Sequence, residues 1–202
     1  MRRSSLASVI VLSAVMLAAV PAHADTVAEQ TVATQTTAVV AIADGTEVGE
    51  ARLRRTEDAA IASIIVDDAA LNSGDTYTVW AMVTNPGDVT PDIGYAGSGM
   101  VFNGTLRAVA YLRQGDLTGF PDELGMASGA GLADPRTAGI TFVLRNHGPR
   151  EPGLLKDQLT TFLGGCDYSL ILELADTAPK YGEPSDFACI DLFLATFAPP
   201  TA

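Results

Sequence analysis

Apolar and polar residues alternate with a period close to two along most of the chain, the mark of half-buried strands. From Glu50 to Arg55, Ala51 and Leu53 take one face while Arg52 and Arg54 take the other. Ala60 to Val66 is rich in Ile and Val and is bounded by acidic pairs at Glu57-Asp58 and Asp67-Asp68. Thr76 to Thr84 carries the strongest pattern: Tyr77, Val79, Ala81 and Val83 face one way, Thr78, Trp80 and Met82 the other. Apolar groups on both faces predict a central strand covered on each side. Further strands are expected at Gly99 to Asn103, Thr105 to Arg113, Thr137 to Arg145 and Phe187 to Phe197, the last carrying Cys189. A first strand at Ala38 to Ile42 is also compatible with the pattern. Asn72-Ser-Gly-Asp75 and Asn85-Pro-Gly-Asp88 are turn clusters between them.

One segment breaks the alternation. Leu154, Leu155, Gln158, Leu159 and Phe162 fall at helical spacing, with Pro152 near the start and Gly164-Gly165 past the end. A short helix within 153–163 is expected there. Residues 169–174 read equally as strand or helix, and 90–99, 114–136 and 176–186 read as loops. Seven or eight short strands and one helix predict an all-β domain. An antiparallel β-sandwich is the favoured architecture, with a barrel as the alternative, because nothing in the pattern specifies closure.

The N-terminus directs the chain out of the cytoplasm. Arg2 and Arg3 precede an apolar run from Leu6 to Val20, and Pro21 and Ala22-His23-Ala24 end it with a small-x-small cleavage site. The run is shorter than the roughly 20 residues a membrane helix needs. The segment therefore reads as a signal peptide over 1–24, and a secreted or periplasmic product is expected. Residues 25–47 read as a flexible leader with the possible first strand, 48–197 as one β-domain and 198–202 as a tail. No later run predicts a membrane span.

Charge and cysteine content narrow the options. The whole chain has a formal net charge of -12, from 12 basic and 24 acidic residues. Loss of the signal arginines makes it more negative still, which argues against a nucleic-acid partner. The low charged fraction of 18% and the 48% hydrophobic content argue against disorder. Cys166 and Cys189 are the only cysteines. An oxidising compartment favours their disulfide over free thiols or half of a metal site, with about 3 kcal/mol of stabilisation in the chain-entropy model.

After cleavage His147 is the one histidine left. It lies in Arg145-Asn-His-Gly-Pro149, where a strand is expected to give way to a loop. The imidazole could move protons or ligate metal, or simply bond the backbone at the turn. With Arg145 and Arg150 it forms a basic spot that suits a small anionic ligand if the three share a cavity. The alternative for the arginines is surface pairing with nearby acids. No serine stands in a G-x-S-x-G elbow; Ser98, between Gly97 and Gly99, reads as a turn. Acidic groups gather in turns at Asp67-Asp68, Asp88/Asp92, Asp116, Asp122-Glu123 and Asp134, where calcium is the possible ion, but the EF-hand spacing is missing. Tyr77, Trp80 and Tyr111 are either a sugar-stacking platform or core.

Thr76-Tyr-Thr-Val-Trp-Ala-Met-Val-Thr-Asn-Pro86, Phe142-Val-Leu-Arg-Asn-His-Gly-Pro149 and Gln158-Leu-Thr-Thr-Phe-Leu-Gly-Gly-Cys166 resemble an uncharacterised family of secreted bacterial β-domain proteins. The layout is more distantly similar to chordin-type (CHRD) β-sandwich domains. The resemblance covers about residues 48–197 and implies export and a β fold, with no catalytic residue. It also implies a histidine where Thr141 stands, so a two-histidine metal site is not expected here. The sequence reading is thus an exported, non-catalytic binding or envelope-associated module, with an enzyme or ligand pocket around Arg145, His147 and Arg150 as the alternative. Its expected partner is a small anionic ligand or a cell-envelope component.

Overall fold

Alternating side chains give each strand one face for a core and one for water, and eight such strands can bury their inner faces by closing on themselves. The computed structural model describes residues 33–69, 71–115, 117–120, 131–164, 166 and 189–200. The signal segment, residues 116 and 121–130 of the loop at 114–136 (with the candidate carboxylates Asp116, Asp122 and Glu123), residues 169–174 and the loop at 176–186 lie outside the described residues.

The strands are β1 (Ala33–Ala41), β2 (Glu47–Arg55), β3 (Ala59–Asp67), β4 (Asp75–Thr84), β5 (Asp92–Phe102), β6 (Thr105–Arg113), β7 (Gly139–Pro149) and β8 (Ile190–Phe197). A short helix, α1 (Leu155–Thr160), lies between β7 and β8 in sequence. The strands form one closed antiparallel barrel in the order β1-β2-β3-β6-β5-β4-β7-β8. The preferred sandwich thus gives way to the barrel. Its seam is the pairing of β1 with β8 through Val40 opposite Leu194 and Ala41 opposite Phe193. That edge-to-edge contact joins opposite ends of the chain, which local alternation does not encode.

The inner faces supply Val39, Leu53, Ile64, Val79, Leu106, Leu112, Ile140, Phe142, Leu144 and Phe197, all buried in one cluster. Interior positions of an eight-stranded barrel are filled by side chains of this size. The last inward position of β2 is Arg55, with 0% exposure. Its Nε donates to Gln35 Oε1 at 2.7 Å, and its Nη1 donates to the carbonyls of Pro135 and Ala138 at 2.6 and 2.9 Å. Burial lowers the pKa of its guanidinium, which stays charged because arginine does not lose its proton in proteins.

Four elements differ from the sequence reading. β1 begins at Ala33, inside the expected leader. β5 begins at Asp92, within the segment read as a Gly-rich loop. Its glycines mark close approach: a β-carbon on Gly97 would meet Val109 O, and one on Gly99 would meet Arg107 O at 2.5 Å. β7 continues through His147 to Pro149 instead of ending at Arg145, after a register shift at Leu144/Arg145 against β8. Cys189 stands immediately before β8. α1 falls within the expected range but is a single short turn of helix. None of the helices among the described residues is long and apolar enough to cross a membrane.

Candidate functional site

β4 is buried on both faces, and its outer face explains the site. Tyr77, Val79, Ala81 and Val83 enter the barrel core, while Thr76, Thr78 and Trp80 on the alternate positions are also buried. The cover is the segment from Glu151 to Gly164, which lies against the outer face of β4 and β5 as a strap. Phe162 sits edge-on to Trp80, with ring centres 5.2 Å apart, and Phe120 packs against both. Tyr95 of β5 meets Trp80 and donates its hydroxyl to Leu159 O at 2.7 Å. Gln158 clasps the strap to β7: its Nε2 donates to Pro149 O at 3.0 Å, and its Oε1 accepts from Glu151 N at 2.9 Å.

Beneath the strap lies His147, 3% exposed. Trp80 Nε1 donates to Thr78 Oγ1 at 2.8 Å, and Thr78 Oγ1 lies 2.7 Å from His147 Nε2. Thr78 Oγ1 accepts a hydrogen bond from the indole and keeps both a second lone pair and its own proton, so it can meet either tautomer. The disulfide sulfur on the other side of the ring has no proton to give, so Nδ1–H is the donor there and Nε2 accepts from Thr78. Nδ1 faces sulfur: Cys189 Sγ is 2.8 Å away and Cys166 Sγ 3.9 Å. Desolvation, and secondarily the charge of Arg145, lower the His147 pKa to about 3. The ring is therefore neutral across the physiological range.

Cys166 and Cys189 form the expected disulfide, with Cα atoms 5.6 Å apart and a sequence separation of 23. Replacing both with serine should cost about 3 kcal/mol by releasing the closed loop, checked by denaturant unfolding of the variant against wild type. The strap then loses the covalent tie at its end. Gly164 is the other adaptation here. Its φ is +43°, and a β-carbon there would collide with the His147 ring. Gly164→Ala should lower stability by about 1–3 kcal/mol and change Trp80 fluorescence, both readable in one thermal melt.

The three basic candidates have different surroundings. Arg145 is 4% exposed. Its Nη1 pairs with Asp191 Oδ1 at 2.8 Å, its Nε donates to Phe162 O at 3.0 Å, and its guanidinium lies 3.9 Å from the Phe162 ring centre. It anchors the strap beside His147. Arg150 is exposed and lines an open groove with Glu151, Pro152, Gly153 and Leu155. The structure thus brings Arg145 and His147 together under the strap and places Arg150 at its outer side.

Other candidates are dispersed. Tyr77 lies in the barrel core, Trp80 under the strap and Tyr111 on the outer wall, so they form no common platform. Several turn carboxylates are engaged by the protein itself. Asp92 Oδ2 accepts from Gly131 N at 2.7 Å, Asp88 Oδ2 from Asn85, Asp67 from Thr105 Oγ1, and Asp134 from Arg136. Thr141 Oγ1 meets Thr196 Oγ1 at 3.2 Å, away from His147 along β7.

Sequence reasoning gave Thr78, Gln158 and Gly164 only places in a strand, a helix and a helix end, and did not single out Asp191. The two-faced apolar pattern of β4 announced that something covers Trp80; the identity of the cover carried no local signal. The arrangement as a whole is a sealed imidazole between a hydroxyl relay and a disulfide. No protein-family model, curated protein or solved structure matches this chain.

Proposed function

We propose that the chain is an exported, non-catalytic binding module that holds a negatively charged cell-envelope component against the outer wall of β2, β3, β6 and β5. The composition of that wall carries the reading. Arg54, Ile61 and Tyr111 lie side by side in register. The next row is Arg52, Ser63, Val109 and Ser98, followed by Glu50, Ile65, Arg107 and Met100. Arg113 extends the basic edge, while Phe102 and Val109 are 61% and 60% exposed. Exposed aromatic and aliphatic groups interleaved with arginine have the composition of an interface. The concentration of arginine is pronounced on a chain with twice as many acidic as basic residues. The filled barrel interior directs binding to the outside. The disulfide and the signal-peptide pattern at 1–24 both fit an oxidising compartment outside the cytoplasm.

The test uses the chain recovered from cells that make it. Its mass should correspond to loss of residues 1–24, and it should co-sediment with washed envelopes at low salt. Arg54→Glu with Arg107→Glu should reduce the bound fraction about tenfold, as should added salt. An unprocessed mass, or sedimentation unaffected by the charge reversal, contradicts the reading.

The second reading is a small-anion site using Arg145, His147 and Arg150. Its support is the open groove that Arg150 forms with the first residues of the strap, the segment that covers the other two. Phosphate should then shift the Arg150 and His147 resonances together; movement of neither would remove this reading.

A further inference from the structure

His147, Cys166 and Cys189 place one nitrogen and two sulfur donor atoms within 4.8 Å of one another. We propose that the disulfide-reduced form of this chain binds one Cu(I) ion through His147 Nδ1, Cys166 Sγ and Cys189 Sγ. This is independent of what meets the outer wall. Reduction adds two electrons and two protons across the disulfide, giving two thiols, with a dithiol or phosphine reductant oxidised in exchange. Binding of Cu(I) then releases both thiol protons to solvent, leaving a monovalent ion between two thiolates and a neutral imidazole.

Several features of the site favour this. The donors are soft, which selects Cu(I) among common ions, and three donors suit it where structural zinc takes four. Thr78 can hold the ring in either tautomer: its hydroxyl donates to Nε2 in the disulfide form and accepts from Nε2–H once Nδ1 ligates. Trp80 Nε1 fixes that hydroxyl from behind. A histidine ligand held by its second nitrogen is the usual metal-site arrangement. Gly164, lacking a β-carbon, leaves the ring its place against the sulfurs. The site with copper carries one net negative charge, and Arg145 supplies positive charge felt at the ring. Cys189 and His147 are buried and Cys166 is partly exposed.

The experiment reduces the full chain with a phosphine under anaerobic conditions and removes the excess. Cu(I), supplied as its acetonitrile complex, is then titrated in competition with bicinchoninate. One equivalent should leave the chelator. The Cys166→Ser/Cys189→Ser variant and the disulfide form should take none, and His147→Gln should bind at least about tenfold more weakly. Thr78→Val keeps all three donors and should weaken binding about tenfold, with Thr78→Ser restoring it. Copper-edge X-ray absorption on the wild-type complex needs no substitution, and should give two sulfurs and one nitrogen. The proposal is overturned if reduced wild type takes no more copper than the double-serine variant. Undiminished binding by folded His147→Gln, a two-sulfur spectrum without nitrogen, or a preference for Zn(II) over Cu(I) would overturn it equally.

Discussion

Arg55→Ala should destabilise the barrel by about 3–5 kcal/mol, among the largest effects of any single substitution in this chain. Arg55 is fully buried at the end of β2, and its hydrogen-bond acceptors are the side-chain oxygen of Gln35 and the carbonyls of Pro135 and Ala138. Alanine would leave a void and deprive both carbonyls of their donor; an unsatisfied buried polar group costs about 1–3 kcal/mol. These carbonyls belong to the segment leading into β7, so the arginine fastens that segment to the barrel end. Ala198 O, past β8, lies 3.5 Å from Nη2, which brings the C-terminal end to the same group. Arg55→Met restores apolar volume but no donors and should recover only part of the loss. Denaturant unfolding of the two variants separates packing from hydrogen bonding. Wild-type stability in Arg55→Ala would contradict the role assigned to this side chain.

The second large effect is on acid stability. His147 has an unperturbed pKa near 6.5 when unfolded and about 3 in the folded barrel. Between those values the unfolded chain binds one more proton than the folded one at this residue, so folding stability rises with pH there. The contribution is fully present above pH 6.5 and disappears as pH falls toward the folded value. Acidification from about pH 6.5 to about pH 4.5 should cost about 2 kcal/mol from this residue alone, because one extra bound proton makes each pH step worth about 1.4 kcal/mol once the unfolded imidazole is charged. The charged groups nearby are Arg145 and its partner Asp191; the disulfide sulfurs do not titrate. Asp44 and Asp134 have lowered pKa values through hydrogen bonds to the Thr46 and Arg136 backbones respectively, and act below the carboxylate range, outside this window. His147→Gln should therefore flatten the dependence of unfolding free energy on pH across the same interval. An unchanged slope would show that burial of a neutral imidazole is not its origin.

β2, β3 and β6 were legible because they follow the in-out rule closely, and β4 because apolar side chains on both of its faces mark a covered strand. β5 was not: Gly94, Gly97 and Gly99 resemble a loop until Leu117 and β6 are seen to occupy the space of their side chains. The extension of β7 was hidden by Gly148-Pro149, which reads as a turn but continues the strand beside Asp75. Closure is invisible for a different reason, since it depends on Val40 meeting Leu194 across nearly the whole domain. The same separation governs the site. His147 and the cysteines were visible as residue types, but Cys189 is 42 positions from the histidine it touches, and Asp191 is 46 from Arg145. Composition identifies such groups; only the return of β8 beside β7 brings them together.

His147 is an imidazole held neutral beneath a disulfide-tethered strap, and nitrogen-15 NMR of its ring reads that directly. The predicted spectrum shows Nδ1 protonated and Nε2 unprotonated at about pH 7.5, with no change down to about pH 4.5. A ring that titrates with a midpoint near 6.5 would place His147 in solvent and contradict the account.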